Sequence, residues 1–177
     1  ADEVGLGSLP GPIVGAAVKL EFKHLDLLSY VKDSKKLSPK KREEIYERVK
    51  ENRIEYSISE CSNLHIDQNG ISVSNKEVLF NSINKLYKKL DKVYVDHFKI
   101  SLGRGEENSY SIALASIIAK VYRDNLMVDF GSKYPQYLFE KNKGYGTREH
   151  LNMIQKYGVC DIHRLSFNLG PTQQPQA

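Results

Sequence analysis

Residues 110–128, from Tyr110 to Val128, are apolar nearly all the way round a helical cylinder, and a helix of that kind is stable only when covered on every side. A chain of this length meets that demand by layering: the helix lies between other elements, not on a surface. Its one irregularity is a polar stripe, Ser116, Lys120 and Arg123, recurring at i, i+4 and i+7. The stripe is either a solvent edge with snorkelling Lys and Arg or a row of donors aimed at phosphates.

The covering layers follow from period and punctuation. Val14, Ala16, Val18, Leu20 and Phe22 alternate with Lys19, Glu21 and Lys23, the signature of a strand covered on one face. Residues 1–5 and 12–22 therefore form a strand pair joined by the Gly/Pro-rich turn Gly5–Pro12. Ser38-Pro39 supplies an N-cap and a first-turn proline, which opens a helix over 39–51 with Ile45, Tyr46 and Val49 on its apolar edge. Ile54, Tyr56 and Ile58 alternate as a further strand. Ser74-Asn75-Lys76-Glu77 reads as a capping box with Val73 and Val78 as its hydrophobic staple, opening a helix that carries Leu79, Ile83, Leu86, Tyr87 and Leu90 on one face. Val93-Tyr94-Val95 reads as a short buried strand, and Thr147 caps a last helix through Tyr157. The order is that of an α/β protein, a sheet covered by helices in one domain, with a tail from 169 to 177 that has nothing to bury.

Several function classes drop out. The two cysteines, Cys61 and Cys160, exclude a disulfide scaffold and a structural zinc site. No apolar run approaches the roughly 18–20 residues of a membrane span, and no basic region followed by an apolar one precedes Asp2, which sets the expectation of a cytoplasmic chain with no membrane partner. The glycine turn lacks the spacing of a dinucleotide site, and no phosphate loop or Gly-x-Ser-x-Gly elbow is present. The five histidines show no metal-ligand spacing; His97 and His163 either touch substrate or are structural.

What remains are carboxylates and cations. Asp2-Glu3 lies in the first strand and Asp96 ends an apolar one. Asp96 either marks a solvated sheet edge or converges with Asp2 around a cation, for which Mg²⁺ is suited because it takes few carboxylates and keeps waters and phosphate oxygens. Glu106-Glu107 precedes the buried helix, where dipole compensation alone would explain it. Residues 32–42 hold six cations against one anion, Lys35 and Lys36 among them, on a loop entering a helix. Lys143-Gly144-Tyr145-Gly146 is a second basic loop, whose tyrosine suits stacking on a sugar or base.

Taken in order, Asp2-Glu3-Val4-Gly5-Leu6-Gly7 with Gly11-Pro12, Asp33–Ser38, Val95-Asp96, Ala115–Asp124, Lys143–Thr147 and His163–Phe167 resemble the type 2 ribonucleases H, bacterial ribonuclease HII in particular. The resemblance implies a ribonuclease H-like α/β fold over residues 1–168, with a central mixed β-sheet flanked by helices. It implies cleavage of RNA in RNA/DNA hybrids and beside ribonucleotides embedded in duplex DNA, by a monomer using Mg²⁺ or Mn²⁺. Asp2, Glu3 and Asp96 match three of the family's four carboxylates. The fourth falls ten residues before Ser116, at Glu106, a glutamate as in ribonuclease HIII; Glu107 is the neighbouring choice. Gly5, Leu6 and Gly7 would lie against the ribose, Tyr145 would pack on the sugar beside the cut, and Lys35, Lys36, Ser116, Lys120 and Arg123 would hold phosphates. Leu6 stands where the family has arginine, so a guanidinium contact is missing there. A hybrid-binding module of the same fold without catalysis is the other reading.

Overall fold

The alternation over residues 13–18 produces a strand whose two faces are both buried. A computed structural model describes residues 1–21, 24, 31, 37–86, 93–95 and 107–170, with only the backbone of 107–109. Strand β1 (Asp2–Val4), β2 (Ile13–Val18) and β3 (Tyr56–Cys61) form an antiparallel sheet in the order β1-β2-β3. Register pairs Asp2 with Ala16, Glu3 with Gly15 and Val4 with Val14, and Ala16 in turn with Ile58. The helices are α1 (Pro39–Glu51), α2 (Asn63–Asn69), α3 (Ile71–Lys85), α4 (Glu107–Lys133), α5 (Phe139–Asn142) and α6 (Arg148–Tyr157), with a 3-10 turn at Pro135–Tyr137.

The long apolar helix is α4. Val14, Ala16, Ile45, Val49, Leu114, Ile117, Ile118 and Val121 share one core, so α4 is held between the sheet and α1. The opposite face of β2 receives α2 and α3 through Ile13, Ile66 and Val78. Gly15 is required there: a Cβ on it would come 2.7 Å from the Val78 carbonyl oxygen, so only glycine lets α3 seat on the strand. Beyond the sheet, the C-terminal end of α4 contributes Met127 to a second core with Leu9, Tyr137, Phe139 and Ile154.

The caps at Ser38 and Thr147 form as expected: Ser38 Oγ accepts from Lys41 N and Thr147 Oγ1 from His150 N. The region between β3 and α3 differs. Ser62 caps a short α2, Gly70 at φ +82° separates it from α3, and Ser74 lies inside α3 with its hydroxyl donating to the Gly70 carbonyl. Val78 is buried but Val73 is exposed, so no staple forms. The left-handed glycine sets the boundary that the capping-box pattern misplaced. Residues 93–95 are half-buried with no strand assigned, and Val95 packs on the core of Ala1, Ala17 and Leu79. Tyr87, Leu90 and residues 171–177 lie outside the described residues, whereas Leu169, expected to open a tail with nothing to bury, packs on the second core. Among the described residues, no helix is long and apolar enough to cross a membrane.

Candidate active site

Asp2 and Glu3 are neighbours in a strand, so their side chains leave it on opposite faces. Asp2 shares the face of Val4, Val14 and Ala16, beneath α4; Glu3 lies on the face of Gly15, toward α3. Asp2 is 7% exposed and Glu3 half-buried, and Asp2 Oδ1 accepts the Glu3 N–H at 2.9 Å. A carboxylate so far from solvent is retained only with compensating partners. The Ala1 amino group donates to the Tyr94 carbonyl at 2.7 Å, which places residues 93–95 beside the start of β1. Asp96 and Glu106 lie outside the described residues, as do Lys35 and Lys36; Glu107 opens α4.

At the other end of β1 the chain enters the glycine loop. Gly5 sits at φ +98°, and a Cβ there would stand 2.4 Å from Arg123 Nε. Two arginines gather this loop. Arg123 donates from Nε to Pro12 O (3.0 Å), from Nη1 to Lys143 O (2.9 Å) and from Nη2 to Pro10 O (3.1 Å). Arg164 donates to Gly11 O (2.9 Å), Gly5 O (2.7 Å) and Leu6 O (3.2 Å). Both side chains are fully buried. The expectation that Arg123 holds a phosphate is therefore corrected: α4 presents that position to the carbonyl-rich glycine loop instead of to solvent, and a guanidinium with five donors is suited to collecting carbonyls.

The other stripe members remain nearer the surface. Ser116 and Lys120 are half-buried; Lys120 Nζ lies 2.7 Å from Asp124 Oδ1 and 5.3 Å from the centroid of the Tyr145 ring. Tyr145 is 37% exposed. Its loop docks on the glycine loop through a Ser8–Tyr145 bridge and the Leu9 N–H to Gly144 O bond of 2.9 Å. Gly7 is exposed, with open space where a side chain would stand. Leu6 turns inward onto the core of Ile13, Cys61, Ile66 and Val78. The structure thus brings Gly7, Lys120 and Tyr145 around one rim, with Gly5 buried beneath it against Arg123.

His163 is not a substrate-facing residue. It is 1% exposed, and its ring stacks edge-on near Tyr137, with His150 Nε2 3.3 Å from its own Nε2. Asp67, which carried no sequence signal, accepts from Leu165 N, Ser166 N and Ser166 Oγ. Burial pushes its carboxyl up, but the Ser166 bonds outweigh that and hold it below the ordinary value. Arg164 and His150 likewise carry no sequence signal as anchors, although the glycine and basic loops they support do.

Cys61, His65 and Glu77 form a cluster of metal-type donors away from β1. His65 Nε2 stands 2.6 Å from Glu77 Oε2, closer than the about 3.3 Å that separates two ligands of a tetrahedral zinc ion with bonds near 2.0–2.1 Å. Burial, with Glu77 nearby, pushes the Cys61 thiol up to about 11, so it stays protonated. The trio is a close imidazole–carboxylate contact with a thiol beside it.

The ribonuclease HII family model matches residues 1–169. A ribonuclease HII of Clostridium perfringens (strain 13) is 48% identical over 175 residues, spanning 94% of this chain and 64% of the relative. One from Caldicellulosiruptor bescii is 46% identical over 174 residues, 94% of this chain and 84% of the relative. The chain therefore spans just under two thirds of the clostridial relative. Among solved structures, the PCNA:RNase HII complex from Archaeoglobus fulgidus aligns with a TM-score of 0.76 at 25% identity, covering 97% of this chain and 96% of that one. Bst-RNase HIII in complex with Mn²⁺ shares the fold, with a TM-score of 0.65 at 19% identity over 95% of this chain and 66% of that one. With a ribonuclease H-like fold, a buried aspartate opening its first strand and a glycine loop docked on a tyrosine rim, this chain belongs to the ribonuclease HII family.

Proposed function

We propose that this protein is an endoribonuclease that hydrolyses the RNA strand of RNA/DNA hybrids and cuts 5′ of ribonucleotides embedded in duplex DNA, leaving 5′-phosphate and 3′-hydroxyl ends. One observation carries the reading. β1 has a buried carboxylate at its start, and the chain beyond its end turns through the buried Gly5 to the exposed Gly7. That order suits a scissile phosphate near Asp2 and the neighbouring ribose at the glycine turn.

The donor set is all oxygen, which fits a hard divalent cation. Asp2, with Asp96 and Glu106 or Glu107, would hold Mg²⁺ or Mn²⁺, and Glu3 would join them around the end of β1 from the strand's other face; a neighbour of the same fold was solved with Mn²⁺. Bound ions of this class supply an activated water and neutralise charge on the phosphoryl group. Residues 93–95 beside Ala1 bring the chain to the Asp2 end of β1 one residue before Asp96. α4 meets Gly5 through Arg123 and packs back along β1 and β2, which directs its first turns toward the same end.

The chain's own residues do the recognition. At the exposed Gly7 the main chain approaches the sugar without side-chain obstruction and offers polar groups to a 2′-hydroxyl, the group that separates RNA from DNA, while Gly5 and Leu6 support that turn through Arg123 and Arg164. Tyr145 packs its ring on the adjacent sugar, and Lys120, held over that ring, faces the backbone phosphates. Leu6 contributes packing and no charge. Lys35 and Lys36 extend the phosphate track.

The test is a cleavage-site map on a DNA duplex containing one ribonucleotide, with and without Mg²⁺. Metal-dependent incision at the 5′ side of the ribonucleotide is expected. Binding without incision would select a hybrid-binding module instead.

A further inference from the structure

Two imidazoles the reaction does not use are buried behind the rim. His150 and His163 are 0% and 1% exposed. Their four ring nitrogens are engaged as follows: His163 Nδ1 with Cys160 N at 2.9 Å, His163 Nε2 with His150 Nε2 at 3.3 Å, and His150 Nδ1 with Tyr145 O at 3.0 Å. The two ends of this chain fix every proton in it. The Cys160 N–H only donates, so His163 Nδ1 is bare and its proton is on Nε2. That proton points at His150 Nε2, which must accept it. The remaining proton is then on His150 Nδ1 and is donated to the Tyr145 carbonyl, which only accepts. Any additional proton would set two N–H groups face to face.

The surroundings favour this neutral state. Tyr137 and Phe139 pack against both rings, with centroids 5.0–6.3 Å away. The Cys160 thiol, 3.1 Å from His163 Nδ1, is pushed up to about 11 by burial and stays a donor. Asp161 is exposed, with its carbonyl bonded to Asn63; the hydrogen bonds of Arg123 go to the Pro12, Pro10 and Lys143 carbonyls and those of Arg164 to the Gly5, Leu6 and Gly11 carbonyls. Among the described residues, no carboxylate is bonded to either ring.

We propose that His150 and His163 are positioning residues: a doubly neutral imidazole pair that runs from the Cys160 turn to the Tyr145 main chain and sets the tyrosine against the substrate sugar. This rests on the reading of Tyr145 given above. The carbonyl it holds belongs to the residue that bridges Ser8, so the pair also fixes how the glycine turn meets the rim.

Long-range ¹H–¹⁵N NMR of the full chain tests the pair without any substrate. Both rings stay neutral from pH 8 to pH 6, with the proton on Nε2 in His163 and on Nδ1 in His150; the opposite tautomers, or ordinary titration near pH 6.5, overturn the proposal. The second arm measures hybrid binding. His150→Phe keeps the ring volume and loses the donor, and weakens binding about tenfold, the loss of roughly one hydrogen bond's worth of placement. His150→Asn, whose amide nitrogen replaces Nδ1, recovers most of that loss. In a Tyr145→Ala background His150→Phe adds nothing further, because the histidine acts through the tyrosine. Additive losses, or a folded His150→Phe protein with wild-type affinity, contradict it. If wild-type protein binds no hybrid while the NMR tautomers are as stated, the functional reading has failed and the pair has not.

Discussion

Replacing Arg123 by methionine separates the two roles that this position could have. The buried guanidinium donates to three carbonyls, those of Pro12, Lys143 and Pro10. Charge-assisted bonds contribute about 1.5–3 kcal/mol each, which puts about 4.5–9 kcal/mol at stake. Removing a desolvated charge returns several kcal/mol of that, so the net loss is about 2–4 kcal/mol, a sizeable share of the roughly 5–15 kcal/mol of a folded domain. The methionine stem refills most of the volume, which keeps cavity formation out of the comparison. Urea unfolding followed by far-UV circular dichroism gives the stability, and tyrosine emission gives a second probe in a chain with 11 Tyr and no Trp. Hybrid affinity against salt concentration gives the phosphate count. Arg123→Met lowers stability by that amount and leaves the salt slope unchanged, whereas Lys120→Met lowers the slope by about one unit. A stable Arg123→Met protein with a reduced slope would return Arg123 to the phosphate track and refute the clamp.

Burial, and then the neighbouring His150, pull His163 down to about 4, below the ordinary 6.5, so the unfolded chain takes up the proton first as pH falls. Stability is therefore full above pH 6.5 and is lost toward pH 4, by about 2 kcal/mol between pH 6.5 and 5 if His163 alone is counted; urea midpoints across that range check it, and a His163→Phe protein with the same acid loss would contradict it. Gly15→Ala drives a methyl to within 2.7 Å of the Val78 carbonyl oxygen and loses about 2–4 kcal/mol, read as a fall in melting temperature; wild-type stability would mean α3 shifts freely on β2.

Much of the framework is legible in residue order because it rests on local chemistry. Ser38-Pro39 and Thr147 start helices for reasons contained within a turn, and the alternation of residues 14–18 is a property of the strand itself. α4 is legible because apolarity on all sides has one consequence. The Ser74–Glu77 capping box does not open α3 because the helix already begins after Gly70, whose positive φ is invisible in composition. The stripe on α4 shows the deeper limit. Period alone places Lys120 and Arg123 on one face of a helix but does not say whether that face meets water or a loop of unsatisfied carbonyls. Likewise His150 and His163 are separated by thirteen positions, and only the packing of α6 against the Cys160 turn reveals that they share a proton.

The carboxylates are the foundation of the functional reading, and Asp2 is the residue to change. In Asp2→Asn the side chain keeps its volume and its Oδ1 acceptor toward the Glu3 N–H while losing the charge that would hold a divalent ion. Incision of a single-ribonucleotide duplex in Mg²⁺, measured beside hybrid affinity, is expected to fall by three orders of magnitude or more, about 4 kcal/mol of barrier, with affinity kept within a few fold. Full incision by the folded Asp2→Asn protein would contradict a metal site built on β1.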